Sequence, residues 1–227
     1  MTFAIVVAAG SGVRMGVRMP KALVPLGGRP LVAWSLIALA DCDLVDGIVL
    51  AAPPGEETAM RMAVGEAGGG GLVVVSGGAT RQRSVAAALA AVPKDATEIL
   101  VHDAARPLIT PQLVETVLEG LPGVEGAIAA TPLADTLKRG DADQIIAGTV
   151  DRAGLWQAQT PQAFHASVLR RAFDLADDEV LDTATDCASM VEALGGRVRL
   201  VAWGSPNLKV TTPADLELAE TLLLPYN

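Results

Sequence analysis

Short apolar runs recur along the chain and alternate with longer segments that have helical spacing. Runs rich in Val, Ile, Leu and Ala, bounded by Gly, Pro or polar residues, predict strands. Strands that alternate with helices are typical of βαβ crossovers, which build a mainly parallel sheet with helices on both faces. The predicted strands are Phe3–Ala8, Gly47–Ala52, Leu72–Ser76, Ile99–His102 and Gly126–Ala130, and the predicted helices are Leu31–Ala40, Glu56–Ala67, Gln82–Val92 and Pro111–Leu121.

The alternation breaks between about 131 and 164, where the short β-like pieces DTLKR and IIAGTVDR are not separated by a helical segment. We interpret this range as an inserted arm or hairpin. Since such an arm cannot bury both of its faces alone, we expect it to fold over the active site or to pair with another subunit. Regular structure returns with helices near Ser167–Leu175 and Ala184–Leu194, a strand at Val198–Ala202 and a closing helix from Pro213.

The composition agrees with this pattern. A length of 227 residues suffices for one domain with a sizeable core, so we expect a single domain over 1–227. Half of the residues are hydrophobic but only 3% are aromatic, which suits buried strands covered by close-packed helices. The sequence therefore predicts an α/β fold with a doubly wound, mainly parallel sheet.

The charge and the chain start exclude several classes of partner. A net charge of −9 argues against nucleic acid bound through a general basic surface. Cys42 and Cys187 lie far apart with no CxxC motif, so we expect buried thiols rather than a zinc site or a disulfide. The apolar start TFAIVVAA is too short for a membrane span and lacks a basic leader, which predicts a cytoplasmic protein with no membrane partner.

A glycine-rich loop, AAGSGVRMGVRMPK, follows the first predicted strand. Gly10 and Gly12 are followed by Gly16, one position beyond the G-x-G-x-x-G spacing, and the second strand ends in AAPPG without the acid that a nicotinamide cofactor requires. The Walker A pattern also fails, because no Gly-Lys-Ser/Thr follows at the right spacing. Two common nucleotide motifs are thus disfavoured.

The same loop is nevertheless suited to a triphosphate. Glycines let backbone N–H groups approach phosphate closely, while arginine and lysine neutralise its charge. The alternative is a solvated loop whose basic residues pair with surface carboxylates. The basic residues are Arg14, Arg18 and Lys21.

Two further clusters follow the third and fourth predicted strands, at the sheet edge where open α/β folds bind ligands. GGATRQRSV contains Ser84 near a helix start, where its hydroxyl reads a base edge or only caps a turn. VHDAARP contains Asp103, which suits the Mg²⁺ of a nucleoside triphosphate or alternatively caps the turn and pairs with Arg106. Nothing near His102 suggests a nucleophile for it to activate.

Eight motifs in order extend the interpretation. The chain resembles the 2-C-methyl-D-erythritol 4-phosphate cytidylyltransferases over nearly its whole length, through AAGSGVRMG, PK, GGATRQRSV, VHDAARP, DTLKR, TVDR, QTPQ and NLKVTTPADLELAE. The resemblance implies a Rossmann-like domain with an extended β-arm, a homodimer, and a divalent cation such as Mg²⁺. It also implies transfer of CMP from CTP to a sugar-alcohol phosphate, with release of pyrophosphate.

By this resemblance, Arg14 and Lys21 stabilise the transition state, while Arg152 and Lys209 position the sugar phosphate. Thr136 matches an arm residue that contacts the acceptor across the dimer interface. The cytosine-nucleotide pocket matches Ala8, Ala9, Gly78 and Ser84, and the metal- and ribose-side carboxylate matches Asp103. The predicted substrate-binding set also includes Gly10, Gly12, Ala104, Arg106 and Thr160.

The chain departs from the family pattern in places. Ala22 stands where Gln commonly follows the PK motif, VAWGSPNLK lacks an acid that relatives often carry there, and Arg18 matches no assigned role. A cytidylyltransferase for ribitol or ribulose 5-phosphate is the nearest alternative function. A non-catalytic nucleotide-binding protein is a further one, which charged residues at the matched positions disfavour.

Overall fold

The computed structural model describes residues 1–10, 12, 15–16 and 19–223. These residues form a seven-stranded sheet in the order β11-β7-β10-β6-β1-β4-β5, with two smaller two-stranded sheets beside it. The strands are β1 (Thr2–Val7), β2 (Pro25–Leu26), β3 (Arg29–Pro30), β4 (Gly47–Ala52), β5 (Leu72–Ser76), β6 (Glu98–Asp103), β7 (Gly126–Pro132), β8 (Leu137–Gly140), β9 (Ile146–Val150), β10 (Trp156–His165) and β11 (Val198–Ala202).

Eight α-helices and one short 3-10 helix, Lys21–Leu23, occur in the described part of the chain. The sequence did not predict the 3-10 helix or the helix Asp178–Thr183, which are both short. The α-helices are α1 (Leu31–Ala40), α2 (Glu57–Val64), α3 (Arg81–Ala91), α4 (Pro111–Glu119), α5 (Ala166–Leu175), α6 (Asp178–Thr183), α7 (Cys187–Ala193) and α8 (Pro213–Leu223).

The central strands divide the core into two layers. Side chains alternate along a strand, so Ala4 and Val6 of β1 join one hydrophobic cluster while Ile5 joins the other. The first cluster is covered by α1, α2 and α4, and the second by α3, α5 and α7. Helices on both faces of a mostly parallel sheet confirm the predicted doubly wound α/β class.

The range predicted as an arm contains two different structures. Strands β8 and β9 pair antiparallel and form an arm whose residues are mostly exposed. By contrast, β10 lies inside the main sheet and runs antiparallel to both β6 and β7. The arm is therefore shorter than 131–164, because the second half of β10 is buried between two central strands.

The helix that closes the described chain is fixed at its start by a capping box. Thr212 Oγ1 accepts a hydrogen bond from Asp215 N at 3.3 Å, and Asp215 Oδ2 accepts one from Thr212 N at 2.8 Å. Asp215 Oδ2 also accepts bonds from the backbone and hydroxyl of Thr211, at 2.8 and 2.6 Å. These bonds, chiefly those from Thr211, lower the pKa of Asp215 to about 2.

None of the helices in the described part of the chain is both long and apolar enough to cross a membrane.

Replacing Asp215 with Asn should lower the free energy of unfolding by about 1 kcal/mol at pH 7, because the charged cap of α8 is lost. Since the folded-state pKa lies below its ordinary value of 3.8, this contribution is present above that value and disappears as the pH falls toward 2. Urea unfolding of Asp215→Asn and wild type at several pH values between 7 and 2.5 measures this contribution of Asp215 to the free energy of unfolding. The exposed Glu217→Gln on the same helix is the control, and equal stability of Asp215→Asn and wild type at pH 7 would contradict the prediction.

Candidate active site

A cavity of about 410 Å³ opens at the carboxyl edge of the parallel strands, beside the ends of β1 and β6. This is the edge at which open α/β sheets bind ligands. The cavity draws its walls from the loop after β1, the start of the 3-10 helix, the turn into α3, and the segments after β6 and β11. Its lining residues are Val7, Ala8, Ala9, Gly10, Lys21, Ala22, Gly78, Ala79, Thr80, Arg81, Ser84, Asp103, Ala104, Ala105 and Lys209.

The glycine loop is packed closely against Lys21. Gly12 has a φ of 70°, and a Cβ atom placed on it would lie 3.1 Å from the Cβ of Lys21. Glycine is favoured there both by the left-handed backbone and by this close approach. Lys21 Nζ donates to the carbonyl of Val210 at 3.0 Å, next to Lys209, while Arg14 and Arg18 lie outside the described residues.

The turn into α3 forms a second wall of the cavity. Ser84 Oγ accepts a bond from Gly78 N at 3.0 Å and donates to the carbonyl of Thr80 at 2.8 Å. Thr80 caps α3, because its hydroxyl accepts a bond from Arg83 N at 3.2 Å. The hydroxyl of Ser84 thus fixes the turn around Gly78, which agrees with the capping alternative and leaves both residues on the cavity wall.

Asp103, the last residue of β6, is held by two cations. Arg81 Nε lies 2.9 Å from its Oδ1, and Lys209 Nζ lies 2.7 Å from its Oδ2. Burial favours the neutral acid, but the charges and hydrogen bonds of Arg81 and Lys209 outweigh it, so the pKa of Asp103 lies well below its usual range. The alternative pairing with Arg106 is wrong at the side-chain level, because the ion pairs of Asp103 are with Arg81 and Lys209.

A buried hydrogen-bond network supports Asp103 from behind. Thr160 Oγ1 accepts a bond from Asp103 N at 3.0 Å and lies 3.1 Å from His102 Nδ1. His102 Nε2 faces the carbonyl of Arg106 at 3.2 Å, which can only accept, so in a neutral ring Nε2–H donates to it and Nδ1 accepts from the Thr160 hydroxyl. Burial lowers the pKa of His102 to about 4, so the ring is neutral and structural.

Arg106 fastens the segment that carries Lys209. Its Nη1 donates to the carbonyl of Asn207 at 2.7 Å, and the Asn207 amide donates to Gln159 Oε1 and to the carbonyl of Thr160. Arg106 and Thr160 are 9% and 4% exposed. Neither residue lines this cavity, although Arg106 lines a neighbouring one together with Asn207 and Lys209, so their substrate contacts stay predictions.

The remaining predicted residues fall into two groups. Thr136 and Arg152 are exposed residues beside the arm and do not line the cavity. Within the described part of one chain, the structure therefore brings nine of the predicted site residues together at the cavity and leaves the two arm residues elsewhere. The predicted residues that line the cavity are Ala8, Ala9, Gly10, Lys21, Gly78, Ser84, Asp103, Ala104 and Lys209.

A second buried polar cluster lies beyond Arg81. Arg81 Nη1 donates to Gln82 Oε1 at 3.2 Å and to Cys187 Sγ at 3.6 Å. Gln162 Oε1 accepts a bond from Cys187 N at 3.2 Å. Cys187 and Cys42 are both buried free thiols, as predicted. Sequence reasoning assigned no role to Arg81, although its position in GGATRQRSV was the available signal.

Comparison with known proteins agrees with this geometry. Residues 2–224 match the family model described as 2-C-methyl-D-erythritol 4-phosphate cytidylyltransferase. The chain belongs to this family. Among curated relatives with that name, the protein of Azoarcus sp. (strain BH72) is 44% identical over 97% of this chain and 93% of its own length. The protein of Frankia casuarinae is 47% identical over 97% of this chain and 80% of its own length.

Solved structures of the cytidylyltransferase family share the fold. The enzyme of that name from Thermus thermophilus superposes with a TM-score of 0.80 and 36% identity, covering 98% of each chain. The 4-diphosphocytidyl-2C-methyl-D-erythritol synthase from Anaerococcus prevotii has a TM-score of 0.83 and 28% identity, and covers 98% of this chain and 96% of its own.

A divalent cation in this cavity would take most of its ligands from the substrate rather than from the protein. No group of three or more His, Cys, Asp or Glu side chains suited to a metal occurs in the part of the chain that the structure describes. Asp103 is the only carboxylate among the described residues that line the cavity. This set fits Mg²⁺, which typically binds one or two carboxylates together with substrate phosphates and water.

Replacing Gly78 with Ala should raise the KM for CTP about tenfold. The added Cβ would lie close to the Cβ of Arg83 and 3.0 Å from its backbone carbon, so the turn or the start of α3 must move. Steady-state kinetics with CTP measure the effect. The control is Gly70→Ala, because that glycine has nothing within 4 Å of an added Cβ. A Gly78→Ala enzyme with wild-type KM for CTP would show that the turn does not shape the nucleotide site.

Proposed function

We propose that this protein transfers CMP from CTP to 2-C-methyl-D-erythritol 4-phosphate, forming 4-diphosphocytidyl-2-C-methyl-D-erythritol and pyrophosphate. This reaction belongs to isoprenoid precursor synthesis by the non-mevalonate pathway. The observation that carries the proposal is the family match over residues 2–224, in a chain whose Lys21, Asp103 and Lys209 line one cavity.

The reaction is a displacement at phosphorus. A phosphate oxygen of the acceptor forms a bond to the α-phosphorus of CTP, while the bond from that phosphorus to the bridging oxygen of the β-phosphate breaks. Pyrophosphate leaves with the bonding electrons, and no covalent enzyme intermediate is required. Because two anions must approach each other, the main demand on the protein is positive charge held in place.

The described cations meet this demand from two sides of the cavity. We assign Lys21 to the reacting phosphates of CTP, together with Arg14, and Lys209 to the phosphate of the acceptor. Lys21 Nζ is fixed by the carbonyl of Val210, the neighbour of Lys209, so the two ammonium groups belong to one structural unit. Asp103 would hold Mg²⁺ with the phosphates of CTP, and the ion would screen their charge.

Pyrophosphate release with CTP and a panel of acceptors tests the function. We expect 2-C-methyl-D-erythritol 4-phosphate to give the highest kcat/KM, ahead of ribitol 5-phosphate and ribulose 5-phosphate. The control is Lys21→Ala, which should lower kcat about 10²- to 10³-fold because a preorganised charge on the reacting phosphates is lost. Faster turnover of ribitol 5-phosphate would overturn the acceptor assignment, and full activity of Lys21→Ala would overturn the role of that lysine.

We further propose that the chain forms a homodimer through the arm of β8 and β9, with Thr136 and Arg152 contributing to the partner's site. Ile145 and Ile146 at the arm are each 64% exposed, and a two-stranded hairpin alone is marginally stable. Arg152 and Thr136 do not line the cavity of their own chain, although the resemblance gives both a contact with the acceptor. If the arm reaches a second copy of the chain, both residues can contact the acceptor in the partner's site without lining the cavity of their own chain.

Mixing two inactive variants distinguishes a shared site from separate ones. If Arg152 serves the partner, a mixed dimer of Lys21→Ala and Arg152→Ala chains contains one intact site and one doubly altered site. Random exchange of equal amounts should then restore about a quarter of the wild-type activity per chain. Turnover of the mixture, with light scattering for the oligomeric state, measures this. A fully active monomer, or no recovery in a mixture shown to exchange, would contradict the shared site.

A further inference from the structure

The two cations that hold Asp103 come from elements far apart in the chain and approach different oxygens. Arg81 is the first residue of α3 and takes Oδ1, while Lys209 lies after β11 and takes Oδ2. The carboxylate therefore keeps one partner if the other moves away. Neither contact can replace the other without a rotation of the Asp103 side chain, because each cation occupies its own oxygen.

Arg81 and Lys209 differ in how firmly they are held. Arg81 binds Asp103 through Nε, while its Nη1 contacts Gln82 Oε1 and Cys187 Sγ, and its side chain is 21% exposed. The side chain of Lys209 is 42% exposed, twice the exposure of Arg81, and among the described residues the only hydrogen bond of its Nζ is the one to Asp103. A planar guanidinium fixed at two edges is a stationary partner, whereas an ammonium on a flexible stem can turn to another anion.

The balance of charge favours such an exchange. Asp103 is 10% exposed at its side chain, and a buried carboxylate that loses its partners is strongly unfavourable. With Arg81 in place, Lys209 can leave Oδ2 while the carboxylate remains paired and hydrogen-bonded. The group of two cations and one carboxylate also carries one surplus positive charge, which suits an incoming phosphate.

We propose that Arg81 is a positioning residue for cytidylyl transfer, which holds Asp103 through Oδ1 and so releases Lys209 to bind the acceptor phosphate. This inference rests on the proposed function, because it takes the acceptor to be a sugar phosphate bound by Lys209. It adds a residue for which the resemblance implied no role. It also gives Asp103 two partners with separate tasks, one permanent and one exchangeable.

Two variants of Arg81 separate this role from simple support of the fold. In Arg81→Gln, Lys209 becomes the only side-chain cation paired with Asp103, so the KM for the acceptor should rise at least about tenfold and by more than the KM for CTP. Arg81→Lys retains a charge at the site and should recover part of the loss. The matched control is Arg83→Gln on the same helix, which removes ion pairs with Asp178 and Asp182 and should not change the KM for the acceptor.

A double-mutant cycle with Lys209→Gln tests the link between the two cations. If Arg81 acts by releasing Lys209, its replacement should raise the KM for the acceptor much less when Lys209 is already absent. Folded Arg81→Gln with a wild-type KM for the acceptor would overturn the proposal, and so would independent effects that multiply in the double variant. These results would leave the proposed function intact, since wild-type turnover of the acceptor tests that separately.

If the Arg81 variants do not fold, CTP binding to a variant that retains Arg81 still tests the proposal. In Lys209→Gln, Arg81 alone should keep Asp103 in place, so CTP with Mg²⁺ should bind within about threefold of wild type in calorimetry, while the KM for the acceptor rises. Loss of CTP binding in parallel with acceptor binding would show that Arg81 does not hold Asp103 by itself and would overturn the proposal.

Discussion

The burial of one carboxylate at the end of a central strand is the constraint on which the rest of the site depends. Asp103 follows a run of β6 residues that are almost inaccessible to solvent, and its own side chain is 10% exposed. A charge in that place requires cations with fixed geometry. The chain supplies them from α3 and from the segment after β11, so one ion-pair group joins three distant parts of the sequence.

The antiparallel strand β10 makes this arrangement possible, although its sequence lacks the apolar pattern of a central strand. WQAQTPQAFH contains three glutamines and a proline, so only tertiary contacts with β6 and β7 place it in the sheet. Its register with β6 pairs Gln162 with Val101, which brings Thr160 to the end of β6, where its hydroxyl accepts a bond from Asp103 N. Gln162 also donates to Asp186 Oδ2 at 2.8 Å. The residues of QTPQ do not line the 410 Å³ cavity, and their hydrogen bonds hold the end of β6 and the start of α7 in place.

Local sequence patterns predict where strands and convergent loops lie better than they predict the direction in which a side chain points. Short runs rich in Val, Ile, Leu and Ala mark strands whether or not they are buried, so the predicted bounds of β4, of the edge strand β5 and of the edge strand β11 are those of the structure. Lys21, Asp103 and Lys209 could be found because loops at the carboxyl ends of parallel strands converge, and because each lies in a motif. Thr160 and Arg106 lie in motifs too, yet neither lines this cavity, because a motif does not tell in which direction a side chain points.

Arg81 and Arg83 show how two residues of one helix turn acquire opposite tasks. Arg83 points to the acidic helix α6 and pairs with Asp178 and Asp182, whose side chains are 88% and 49% exposed, so solvent screens these pairs. Arg81 points inward to a carboxylate that water screens little, where the same type of pair has a much stronger electrostatic effect. Helical geometry makes the difference, since residues two apart lie on different faces, and it allows one turn to fasten α6 on the outside while ordering the charges of the cavity.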